Sequence, residues 1–521
     1  MVPGMHLKMT QYDYDWCFIN TILRQLSWIR LGHRLLYLEH RRYPVPLLPP
    51  HALLDNFTRH PYTIPKPPGG GMESMVRKNA SGYRIVLFPA PFQGHINPMF
   101  HLACLLHSRG FSITILHTNF NSPDPTNYPN YHFVSVPGGL TTSTDDVVAL
   151  ILSLNANYEA PFRAQMSRMR SERSGEPIAC VVVDALLYSV QAVAKQLGLP
   201  TLVLRTGSAA SFYMFAAFPL LWKRGYLPIQ DSRLEVQVNE LAPLRVRDLL
   251  RVEQSNPQKL RQLIEQVVEE ARTSSAIIIN TFVAIEGNEL EKVREELSVP
   301  VFPIGPLHKL SPKTESSLMD QDHSCLDWLD KKHPRSVLYV SFGSLASMDG
   351  KELAEAAWGL ANCQQPFLWV LRPGSIRGSA QIELPQGFEE ETRGRGKIVK
   401  WAPQQQVLAH PAVGGFWTHN GWNSTVESMS EGIPMLCKPY FSDQMGNARY
   451  VSEVWKVGIQ LENGLERGEI KSAIKRLMTE KEGDEMKRRA RDLKEKAAQC
   501  VRKEGSSQVA LDRLVDYVLS L

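Results

Sequence analysis

The chain has 521 residues, 43% of them hydrophobic and 21% charged, with a formal net charge of +5. That length exceeds one core, and the composition is that of an ordinary soluble globular protein, so two domains with extensions are expected. No apolar run approaches the roughly 18–20 residues that span a bilayer, and the seven cysteines are scattered without the paired spacing of a disulfide framework or zinc site, which fits a reducing cytosol.

Residues 1–71 carry eight Lys/Arg and four Asp/Glu, leaving 50 basic against 49 acidic residues afterwards. The body is thus nearly neutral, and a basic face for nucleic acid is not indicated. Residues 44–71 hold eight prolines and end in three glycines, the composition of a linker. The segment fails as a signal peptide, because Asp13 and Asp15 come early and no clean apolar core follows. It also fails as a transit peptide, with four acids and a single serine, Ser27. The expectation is that 1–71 is foreign to the working protein, with Met72 or Met75 as the true start.

From Arg84 to Ala90 the residues RIVLFPA read as a buried strand. Asn97 then offers a helix cap, Pro98 a first helical position, and Gly110 a stop. Phe111 to Leu116 resumes as a strand, giving a βαβ unit with parallel strands and a right-handed crossover. Ala179 to Ala185 and Thr201 to Leu204 extend the same sheet. His95 lies just past the first strand and Asp184 ends another, so a parallel sheet puts both at one rim, where open α/β sheets place ligand chemistry. A neutral imidazole there can accept a proton, with Asp184 fixing its tautomer. On local grounds alone, a histidine after a strand is more often a satisfied loop or core side chain.

The stretch 308–323 is polar and aperiodic, and is expected to link two domains, 72–307 and 324–506. The second half restarts at SVLYVSFGS, a strand running into the small turn of Gly343 and Ser344. A helix from about Asp349 to Leu360 follows, then strands Phe367 to Leu371 and Lys397 to Lys400. The fold class is therefore α/β: two doubly wound, Rossmann-like domains facing a cleft. A last helix is expected over about 507–521.

Between Trp401 and Gln444 stands WAPQQQVLAHPAVGGFWTHNGWNSTVESMSEGIPMLCKPYFSDQ. It reads as a strand (Gly414 to Trp417), a polar turn, a short helix (Trp422 to Glu431) closed by Gly432, and a strand (Ile433 to Cys437). Free N–H groups and the positive end of that helix suit a phosphate. This run resembles the signature box of plant UDP-sugar-dependent glycosyltransferases. FQGHINPMFHLA, NARYVSEVWKVG and LERGEIKSAIKRLM are similar to the plant group numbered 76, whose members glucosylate cytokinins, benzoxazinoids, flavonoids, small aromatic acids and diterpenoids. The resemblance implies the GT-B architecture, with the C-terminal helix packing back on the first domain.

The resemblance also implies roles. Trp401 would stack on uracil, Ala402 and Gln404 would meet the base and ribose edge, and Glu427 the ribose hydroxyls. His419, Asn423 and Ser424, with Gly343 and Ser344, would meet the diphosphate. Trp422, Asp443 and Gln444 would hold the sugar, Gln at the last position favouring glucose, and Thr206 resembles a further sugar contact, although a turn hydroxyl fits it as well. His95 would be the general base and Asp184 its partner in an inverting transfer from UDP-glucose to a hydroxyl, carboxyl or nitrogen of a small acceptor. Phe92, Leu187, Tyr188, Met214, Phe215 and Phe441 are candidates for the acceptor pocket, and core packing suits each equally. No metal or cofactor is called for, and a cytoplasmic monomer without membrane insertion is expected. A UDP-sugar-binding protein without turnover remains the alternative. A NAD enzyme is disfavoured because FPAPFQGH, not GxGxxG, follows the first strand.

Overall fold

Strand side chains alternate between two cores, and that alternation organises the first lobe. In β1 (Arg84–Phe88), Ile85 and Leu87 pack on one face while Val86 and Phe88 pack on the other. β4 (Ile178–Asp184) divides Cys180 and Val182 from Val181 and Val183 in the same way. Such strands, apolar on both faces, belong in a parallel sheet covered on both sides. This computed structural model describes residues 80–138, 146–172, 176–252, 256–312, 314, 316–378 and 382–521. The expectations for 1–71 lie outside the described residues.

The first sheet has seven parallel strands in the order β3-β2-β1-β4-β5-β6-β7. Its other members are β2 (Ser112–Thr118), β3 (His132–Val136), β5 (Thr201–Arg205), β6 (Ala276–Ile279) and β7 (Val301–Pro303). The second sheet has six parallel strands in the order β10-β9-β8-β11-β12-β13. These are β8 (Val337–Ser341), β9 (Phe367–Val370), β10 (Gly396–Val399), β11 (Val413–Thr418), β12 (Met435–Cys437) and β13 (Gly458–Gln460). Strand order reverses between β1 and β4 in one sheet and between β8 and β11 in the other, and such switch points open crevices at the carboxyl ends of the strands.

Two helices matter for the site. α1 (Gln93–Ser108) follows β1, and α2 (Trp422–Glu431) follows β11 and ends at Gly432, whose φ of 69° supplies the left-handed cap. A third, α3 (Ser506–Val518), returns from the second lobe to the first. Its Leu511, Leu514 and Val518 are buried in the core that holds Ile85, Ile115 and Phe302, and Asp512 pairs with Arg109 at the end of α1. Burying each such aliphatic side chain contributes roughly 1.5–3 kcal/mol, so the helix is a structural clasp. The polar stretch 308–323 is strapped to α1. Gln93 donates to the Ser316 carbonyl at 2.9 Å and accepts from the Leu318 N–H at 2.6 Å, while the Ser316 hydroxyl donates to Asn97 at 2.7 Å.

Candidate functional site

Helix α1 begins at Gln93, with extended Phe92 as its cap, five residues ahead of the start that Asn97 and Pro98 suggested. His95 therefore sits in its first turn and Pro98 inside it. Proline has no N–H to offer the carbonyl one turn back, and the Gly94 carbonyl instead accepts from the Asn423 side chain of the second lobe at 2.6 Å. A rule that reads proline as a helix start misses this because the compensating donor lies 329 positions away.

At the switch point of the first sheet, His95 Nδ1 lies 2.7 Å from Asp184 Oδ2. Asp184 is 1% exposed and its other oxygen accepts from the Leu186 N–H at 2.9 Å, so the carboxylate is held at both ends. Thr206 Oγ1 stands 3.2 Å from the same imidazole nitrogen. With Nδ1 engaged twice, Nε2 is the nitrogen available to the cleft, which His95 and Thr206 both line.

Across the cleft, α2 presents its N-terminus. Gly421 caps it without a side-chain bond, and the first helical bond runs from Thr425 back to the Gly421 carbonyl. The N–H groups of residues 422–424 thus have no partner within the helix. His419 precedes them, its ring lodged between two glycines. A β-carbon on Gly343, where φ is 73°, would lie 2.6 Å from that ring, and one on Gly421 would lie 2.5 Å from Nε2. Burial and the nearby Arg372 push its pKa down to about 4, against a bond with the Ser341 backbone, so the imidazole is neutral near pH 7. Arg372, unnoticed in the sequence, pins the Gly343–Ser344 turn by donating to the carbonyls of Gly343 at 3.1 Å and Ala346 at 2.7 Å.

Midway along α2, buried Glu427 accepts from Gln404 at 2.7 Å and from Gln405 at 3.0 Å. Burial raises its pKa, opposed by those two amides and Lys309. Gln404 also donates to Ser424 Oγ at 2.9 Å, tying the Glu427 cluster to the N-terminus of α2. The Trp401 indole donates to Ser317 at 3.2 Å, and Ala402 lines the cleft beside it. Gln444 accepts the N–H groups of Tyr440 at 2.9 Å and Phe441 at 3.2 Å through its side-chain oxygen, which leaves its NH2 as the free donor. Asp443 is half-buried, and one of its oxygens accepts from Asn447 at 3.2 Å.

Two donor-side residues have side chains committed elsewhere. The Trp422 indole donates to the Asn280 carbonyl at 2.7 Å, and the Asn423 amide bridges Gly94 and Asn280. Both hold the lobes together, and what they can offer a ligand is backbone N–H. Of the acceptor candidates, Phe92, Phe215 and Phe441 line the cleft. Leu187 and Met214 are instead buried in the first-lobe core and Tyr188 packs against it, so none of the three is among the cleft-lining residues. The first-lobe wall of the cleft also carries the aliphatic residues Val148, Ile151, Leu186, Leu250, Leu263 and Ile264. The periodicity of the helix from Val147 to Ser171 was the signal for the first two.

The whole cleft encloses about 790 Å³ and brings the His95 pair, the α2 N-terminus and the Trp401 end into one space. The family described as UDP-glucoronosyl and UDP-glucosyl transferase matches residues 166–490. The chain belongs to it. UDP-glycosyltransferase 76B1 of Arabidopsis thaliana is 47% identical over 440 residues, covering 84% of this chain and 98% of that protein. DIMBOA UDP-glucosyltransferase BX9 of Zea mays is 46% identical over 454 residues, covering 84% and 98%. Among solved structures, Phytolacca americana UGT2 complexed with UDP-2fluoro-glucose and pterostilbene aligns with a TM-score of 0.72 at 28% identity, over 84% of this chain and 99% of that one. This UDP-glycosyltransferase has the GT-B fold, with two parallel sheets facing a shared cleft. Among the described residues, no helix is long and apolar enough to cross a membrane.

Proposed function

We propose that this UDP-glycosyltransferase moves glucose from UDP-glucose to a hydroxyl, carboxyl or nitrogen of a small apolar or aromatic plant metabolite, with inversion to a β-glucoside. The observation that carries the reading is the 2.7 Å His95–Asp184 pair, opposite an uncapped helix N-terminus in one cleft. With a hydroxyl or nitrogen acceptor, the proton passes to His95 Nε2 as the oxygen or nitrogen forms a bond to the anomeric carbon; an ionised carboxylate attacks with no proton to give up. The bond from that carbon to the diphosphate oxygen breaks on the opposite face. Asp184 stabilises the imidazolium that forms, and the base is worth roughly 10²–10⁴ in rate. The N–H groups of residues 422–424 and the neutral His419 meet the charge of the departing UDP, so no metal is required. Trp401, Gln404 and Glu427 hold the nucleoside, and Asp443 and Gln444 hold the glucose.

Relatives named for DIMBOA, or crystallised with pterostilbene, support a small cyclic acceptor. The aliphatic lining adds that it is largely apolar. The six described cysteines are all free, in keeping with a protein working in the reducing cytosol. Release of UDP from UDP-glucose over a panel of phenols, hydroxy acids and terpenoid alcohols, with NMR of the product anomer, tests the reading. Binding of UDP-glucose without release on any acceptor would favour a non-catalytic UDP-sugar-binding protein, and an α-glucoside would refute inversion.

A further inference from the structure

We propose that Arg205 is the positioning residue through which the first lobe completes the sugar subsite, orienting the Asp443 carboxylate of the second lobe against the transferred glucose. This rests on the function proposed above, in which Asp443 holds the sugar. Arg205 ends β5, one residue before Thr206, and is 6% exposed. Its guanidinium lies 4.2 Å from the Phe215 ring centroid and 5.4 Å from that of Phe212, and one terminal nitrogen donates to Ser211 Oγ at 3.3 Å. Its Nε has no partner among the described residues.

Gly207 makes the juxtaposition possible. A β-carbon there would lie 3.3 Å from Asp443 Oδ2 and 3.4 Å from Arg205 Nη2, so the two charged groups face the same point from opposite lobes. Both line the cleft. Burial pushes the Asp443 carboxyl toward its protonated form, and Arg205 is the largest influence opposing it, ahead of Asn447 and His95. The charged groups acting on Asp443 are thus Arg205 from β5 and His95 from α1, and Asp184 acts on Arg205 in turn. A protonated Asp443 would be a poorer acceptor for sugar hydroxyls. Because two carboxylates already act on Arg205, the cation does not call for an anionic acceptor.

The test uses the full chain with Arg205→Met and Arg205→Lys, an acceptor that the wild type turns over, and calorimetry with UDP. Arg205→Met should raise the KM for UDP-glucose about tenfold or more and move the acid limb of kcat/KM to higher pH, with the Kd for UDP, which lacks the sugar, within about twofold of wild type. Arg205→Lys should restore the acid limb and recover only part of the KM, because it keeps the charge and loses the planar fork. In an Asp443→Asn background, Arg205→Met should add less than about threefold. A rise in acceptor KM alone, unchanged kinetics, or loss of UDP binding in both variants would overturn the proposal. A wild-type enzyme that transfers no sugar from any UDP-sugar would instead bring down the functional reading itself.

Discussion

Asp184→Asn is the most informative single change, because the two carboxylate oxygens, of which it replaces one, have different partners. Oδ1 accepts from the Leu186 N–H at 2.9 Å, and Oδ2 faces His95 Nδ1 at 2.7 Å. An asparagine must keep its oxygen on the Leu186 side to satisfy that buried donor, which turns its NH2 toward His95. Nδ1 then becomes the acceptor and the ring proton moves to Nε2, the nitrogen that has to take the acceptor's proton. The base is lost without loss of shape, so the expected fall in kcat is about 10²–10⁴, equivalent to about 3–5 kcal/mol of transition-state stabilisation. UDP affinity and the thermal midpoint should stay close to wild type. Stopped-time UDP release, UDP calorimetry and a melting curve on one preparation decide it. A folded variant with kcat within about tenfold of wild type would refute the tautomer argument.

Gly343→Ala must adopt a positive φ and press a methyl into the His419 ring, so the Kd for UDP should rise at least about tenfold, since the left-handed backbone alone costs roughly 1–2 kcal/mol. An unchanged Kd would remove this turn from the phosphate site. Gln444→His exchanges an amide that accepts two backbone N–H groups for a ring with one acceptor, and the kcat/KM preference for UDP-glucose over UDP-galactose should shrink. A preserved preference would move sugar selection elsewhere. Burial lowers the pKa of His101 and His419 to about 4, and burial also lowers that of His308. The unfolded chain therefore takes up these protons first, so stability present above pH 6.5 is lost as pH falls toward 4. Thermal midpoints across that range should drop, and less steeply in His101→Gln; identical slopes would contradict the assignment.

Much of the fold is legible in the sequence, for identifiable reasons. Buried parallel strands write continuous apolar runs such as CVVVD, and Trp422 to Glu431 announces its helix by the polar turn before it and Gly432 after it. His95 and Asp184 could be put at one rim because parallel topology sends strand ends to the same side. Contacts that join distant segments were not legible. Nothing local tells that Asn423 serves the Gly94 carbonyl, that the Trp422 indole is spent on Asn280, or that Arg205 faces Asp443 across Gly207. For Leu187 and Met214, apolar residues beside the rim, core packing suited the sequence as well as a cleft position did, and the structure puts both in the core.

In the proposed reaction the His95 imidazole takes the proton from the group that receives the sugar. Single-turnover glucosyl transfer by His95→Ala, measured alongside UDP calorimetry on the same protein, tests it most directly. The expected result is transfer reduced by at least about 10², the lower bound for a lost general base, with UDP binding intact. Wild-type transfer rates from that variant would contradict it.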